Sequence, residues 1–83
     1  MKNNIPLATV IAVWRRDAGL CQHPKCKGRG EEIHHIIFRS QGGTHETGNL
    51  VLLCSKHHEQ THDSEFWRRY WESWEPKNYI LIL

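Results

Sequence analysis

The chain has 83 residues, 39% of them hydrophobic and 24% charged, with four Trp. Those proportions fit one packed domain spanning 1–83 and exclude both two independent cores and whole-chain disorder. A formal charge of only +2 means that any nucleic-acid contact must come from local clustering of cations.

Along the chain, Leu7, Val10, Ile11, Trp14 and Ala18 recur at helical spacing, which predicts an amphipathic helix over about residues 7–18 with a basic end at Arg15 and Arg16. The apolar run from Ile5 to Trp14 is too short to span a bilayer. Arg15, Arg16 and Asp17 stand where the cleavage site of a leader would need small residues, so a cytoplasmic location without membrane contact is expected. From Cys21 to Gly30 the chain reads CQHPKCKGRG, an exposed loop that needs a staple. Glu31 to Phe38 and Leu50 to Leu53 read as two strands. The segment between them carries Gly42, Gly43 and Gly48 and reads as a functional loop. Cys54 to His62 reads as a short helix. Asp63 or Ser64 then caps a second helix over about 64–75, whose stripe of Phe66, Trp67, Tyr70, Trp71 and Trp74 is expected to pack against the first helix. Asn78 to Leu83 forms a short apolar run. The order helix, loop, strand, strand, helix, helix predicts a small α+β fold.

Seven His and three Cys are the strongest compositional feature. An odd cysteine count argues against a disulfide scaffold and for a reducing compartment. Cys21 and Cys26 flank four residues of the loop, and Cys54 and His57 flank two at the start of a helix. Two close pairs separated by a hairpin suit a closed, tetrahedral, structural zinc, whose binding would add stability that so small a core lacks. The other histidines form a second group. His58 and His62, at i and i+4, share one helix face. His34 and His35 are neighbours on a strand and point to opposite sides, which implies one His on a metal and the other free to act as a base. His23 and His45, in loops without a spaced partner, are expected to face solvent.

The segments HHIIFRSQGG, GNLVLLC and HHEQTH, within a core of 21–62, resemble the HNH endonucleases, the ββα-metal or His-Me finger nucleases. The resemblance implies a ββα-metal core with flanking helices, docked at the DNA minor groove. It also implies a nuclease that nicks DNA or cuts both strands and leaves 5′-phosphate and 3′-hydroxyl ends. On this pattern His35 is the general base and Asn49 orients it, while His34, His58 and His62 hold one catalytic divalent ion. Many members place a CxxC pair on each side of the hairpin, where this chain has CQHPKC and CSKH. A nitrogen-rich site favours Mn2+, Ni2+, Co2+ or Zn2+ over Mg2+. Lys25, Lys27, Arg29 and Arg39 fall among six basic and three acidic residues between positions 15 and 39, and are the candidate phosphate contacts. The small surface suggests a homodimer or a larger phage or restriction assembly. The runner-up reading is a zinc-stapled DNA-binding module without turnover.

Overall fold

The computed structural model describes residues 5–76; the apolar run from Asn78 to Leu83 lies outside them. Helix α1 spans Leu7–Arg16, strand β1 Glu32–His35, strand β2 Leu50–Leu53, helix α2 Ser55–Asp63 and helix α3 Glu65–Glu72. Two 3-10 turns, Arg39–Gln41 and Thr47–Asn49, punctuate the loop between the strands. No helix among the described residues is long and apolar enough to cross a membrane.

The two strands pair antiparallel, with Glu32 opposite Leu53, Ile33 opposite Leu52, His34 opposite Val51 and His35 opposite Leu50. Side chains alternate across a strand, yet all four residues of β2 are buried, because both faces of the hairpin are covered. On one face Val51 and Leu53 join Cys21, Ile36 and Trp71 in a core cluster. On the other, Leu50 and Leu52 pack with Val13 of α1. The aromatic stripe of α3 therefore packs mainly against the hairpin and the cysteine loop, through Tyr70, Trp71 and Trp74 on the core cluster and Trp67 on His23. It meets α1 at its end, where the Arg16 guanidinium lies 5.2 Å from the Trp74 ring; Phe66 is exposed. Trp71 is its buried member, and its indole N–H donates to Thr61 Oγ1 at 3.2 Å.

Strand β1 is shorter than its Ile-rich pattern suggests. Beyond His35 one more ladder-like bond runs from the Ile36 N–H to the Asn49 carbonyl, and the Ile37 N–H is then taken by the Asn49 side chain, where the chain leaves the ladder. Helix α1 also differs from expectation. Leu7 and Ile11 are exposed and Val13 is the buried contact, because β2, not the most apolar stripe, decides which face turns inward. The helix stops at Arg16, and Ala18 and Gly19 both take left-handed φ.

That early stop delivers Asp17 to the free edge of β2. Its Oδ2 accepts the Leu52 N–H at 3.0 Å, Arg16 donates to the Leu50 carbonyl at 2.6 Å, and the Gln22 N–H donates to the Leu52 carbonyl at 3.0 Å. Exposed strand edges invite unwanted pairing, and here three groups satisfy the edge. Arg16 also pairs with Asp17 at 2.8 Å, so this cation is spent inside the fold. Helix α3 starts at Ser64, whose Oγ accepts the Trp67 N–H at 3.2 Å as an N-cap.

Candidate metal centres and active-site cleft

The cysteine loop closes on itself through a bridge between Leu20 and Arg29 and a Cys21 N–H to Gly28 carbonyl bond of 3.0 Å. Gly30 follows with no room for a side chain, since a Cβ there would strike Leu52. This places Cys21 and Cys26 beside the start of α2. The donor atoms of Cys21, Cys26, Cys54 and His57 lie within 4.8 Å of one another, and the three cysteines are free thiols. His57 Nδ1 lies 3.3 Å from Cys54 Sγ and 3.7 Å from Cys21 Sγ. Burial pushes the Cys21 thiol up to about 11, whereas the Gly28 amide, donating to Cys26 Sγ, lowers that of Cys26. A buried thiol with such a high pKa stays protonated unless a cation stands beside it. Three sulfurs and one imidazole so close together fit a tetrahedral zinc.

His23 does not face solvent. Its ring stacks on His57 with centroids 3.8 Å apart and tilts over Trp67 at 4.4 Å, forming a wall of the cysteine cluster. The sequence signal was its place inside CQHPKC.

The second group opens on a cleft of about 370 Å³ lined by His34, His35, Phe38, Arg39, His58 and His62. The donor nitrogens of His34, His58 and His62 lie within 4.8 Å of one another. His34 is 1% exposed, and its Nε2 is the one buried side-chain nitrogen or oxygen among the described residues without a hydrogen-bond partner. Burial, reinforced by His58, His62 and His35, lowers its pKa to about 3, which keeps the ring neutral. An orphaned buried polar atom is costly unless something fills the gap, and a neutral imidazole is a good metal ligand. His58 bonds through Nδ1 to the Glu32 carboxylate, which leaves its Nε2 in the cleft, 3.3 Å from His62 Nε2. A carboxylate behind a histidine is the usual support for a metal ligand; Glu32 was not singled out by spacing. Phe38 stacks on His62 at 5.3 Å.

Asn49 clamps the loop between the strands. Its Oδ1 accepts the Ile37 N–H at 2.7 Å, and its Nδ2 donates to the carbonyls of Ile37 at 3.1 Å and Thr44 at 2.9 Å. One amide thus ties both ends of the loop together. Gly43 lies under the same clamp, where a Cβ would run into the Ile37 carbonyl.

His35 occupies the rim of the cleft. Its Nε2 lies 3.0 Å from His45 Nδ1, and His45 Nε2 lies 2.8 Å from Arg39 Nη1. His45 is therefore a partner of the candidate base, contrary to its expected solvent role. Burial, then His45 and Arg39, lowers the His35 pKa. Of the candidate phosphate contacts Arg39 lines the cleft, whereas Lys25, Lys27 and Arg29 are exposed on the cysteine loop and do not.

No curated protein matches the chain. The HNH endonuclease family model matches residues 21–64, more than half of the sequence, and the matched span contains the hairpin, α2 and both donor clusters. With two antiparallel strands followed by a helix that carries metal-ligand candidates, the small α+β fold has a ββα-metal core, and the chain belongs to the HNH endonuclease family.

Proposed function

We propose that the protein is a metal-dependent DNA endonuclease that hydrolyses phosphodiester bonds and leaves 5′-phosphate and 3′-hydroxyl ends. The observation that carries this reading is the orphaned Nε2 of buried His34, which shares a cleft with His58, His62 and the separate histidine His35. His34, His58 and His62 hold one divalent ion. When bound, that ion supplies positive charge against the scissile phosphate and the departing 3′ oxygen. Its all-imidazole protein ligands favour Mn2+, Ni2+, Co2+ or Zn2+ over Mg2+. His35 takes the proton of the attacking water. Asn49 holds the loop that faces His35, a positional task an amide performs without titrating. Cys21, Cys26, Cys54 and His57 hold a structural zinc that pins the loop to α2. Arg39 grips the DNA backbone beside the cleft, and Lys25, Lys27 and Arg29 add affinity without sequence information.

The test is conversion of supercoiled plasmid to nicked and linear forms with each divalent ion or with chelator, comparing wild type with His35→Ala. Divalent-dependent cutting that disappears in a folded, zinc-loaded His35→Ala protein is expected. Salt-sensitive DNA binding without cutting by either protein would replace the nuclease with a zinc-stapled binding module.

A further inference from the structure

Resting on the nuclease reading above, we infer that Arg39 and His45 form a latch on the His35 base, and that a backbone phosphate adjoining the scissile one releases it. A guanidinium has five N–H donors and no acceptor. Arg39 Nη1, 2.8 Å from His45 Nε2, therefore donates. A neutral imidazole has one N–H, so His45 carries its proton on Nδ1. That Nδ1 lies 3.0 Å from His35 Nε2, which must accept. A neutral His35 that accepts at Nε2 carries its proton on Nδ1. Both of its ring nitrogens are then committed, and neither offers a lone pair to water.

The same guanidinium is the cation lining the cleft. Phosphate oxygens are charged and match the guanidinium fork, so they compete with a neutral ring nitrogen for it. Once Arg39 moves to a phosphate, the donor that fixed the direction of the chain is gone. The His45 Nδ1 proton passes along the hydrogen bond to His35 Nε2, His45 Nε2 takes a proton from water, and His35 Nδ1 returns one to water. Each ring ends neutral with one proton, as it began. His35 now donates from Nε2 to His45 and presents a bare Nδ1. Arg39 and His45 are positioning residues in this scheme, and the Asn49 bond to the Thr44 carbonyl, 2.9 Å long, holds the loop next to His45. Base exposure is thereby coupled to DNA docking.

The experiment compares zinc-loaded wild type and His45→Ala, with the same divalent ion, on supercoiled plasmid and on bis(4-nitrophenyl) phosphate, a diester with no adjoining backbone phosphate. The ratio of small-diester rate to plasmid rate is expected to rise about tenfold in His45→Ala, the worth of one hydrogen bond. An unchanged ratio, with both rates lowered alike, would mean that His45 only orients His35 and would overturn the latch. Nitrogen-15 shifts of the His35 ring in wild-type protein give an independent reading. The proton is expected on Nδ1 in the free protein and on Nε2 after a short duplex is added without divalent ion; a proton already on Nε2 in the free protein, or no change with duplex, overturns the latch. Failure of wild type to cut either substrate counts against the nuclease reading, while the nitrogen shifts still decide the latch.

Discussion

The cluster of Cys21, Cys26, Cys54 and His57 and the cluster of His34, His58 and His62 share helix α2 but occupy opposite settings. The first is backed by the core, where Cys21 joins Ile36, Val51, Leu53 and Trp71 and the other two thiols pack against them. The second faces a cleft, and its members run from buried His34 through half-buried His58 to exposed His62. Four sulfur and nitrogen donors in a closed set leave no coordination position for substrate, whereas three imidazoles on a cleft do. One helix can therefore anchor a fold on one face and do chemistry on the other. The largest effect should separate the two. Cys54→Ser is expected to lose zinc and the cooperative melt together, since structural zinc binding is coupled to folding. His34→Ala should keep its zinc and a cooperative melt, lowered by the cavity that a fully buried ring leaves, about 2–4 kcal/mol. Zinc content by mass spectrometry and thermal melts by circular dichroism check this; equal losses in the two variants would erase the distinction.

Within the cleft the contrast is between the base and the groups that support the ligands. His35→Ala should lower plasmid cutting by about 10²–10⁴-fold, the usual worth of general-base catalysis, with the melt unchanged. Glu32→Ala acts one step further out. Freed from the carboxylate that holds its Nδ1, His58 should bind the catalytic ion about 10–100-fold more weakly. Titration with Co2+, followed by its visible absorption in zinc-loaded protein, reads that loss without reference to activity. An unchanged Co2+ affinity would make Glu32 an ordinary surface partner.

What was legible in the sequence follows from the range of each interaction. The spacings Cys54 to His57 and His58 to His62 are set within one helix, so local rules are enough for them, whereas strand alternation alone does not reveal that His34 and His35 line one cleft. The role of Asn49 is visible in the sequence only through the resemblance, because it binds Ile37 and Thr44 across the loop. His45 meets His35 ten positions away, Glu32 meets His58 across 26, and Asp17 meets Leu52 across 35. None of these pairs has a periodic signature. The buried face of α1 departs from its apolar stripe for a related reason: a single hydrophobic stripe does not reveal which side the hairpin will approach. Arg16 reads as part of a basic patch until its bonds to Asp17, Leu50 and Thr47 turn it inward.

The smallest expected effect sharpens the same comparison at the level of DNA affinity. Removing one cation that touches a phosphate should reduce the slope of log K against log salt by about 0.9 on duplex DNA. Lys25→Ala and Lys27→Ala, on the exposed cysteine loop, should each produce that change and leave the single-turnover cutting rate of bound DNA as it was. Arg39→Ala touches the cleft, so it should change the salt slope and the bound-state rate together. Binding titrations at several salt concentrations, paired with single-turnover cutting at saturating protein, separate the two behaviours. If Lys25→Ala slowed the bound-state rate as much as Arg39→Ala, the cysteine loop would lie against the reacting strand, and the division between an anchoring face and a chemical face of α2 would fail.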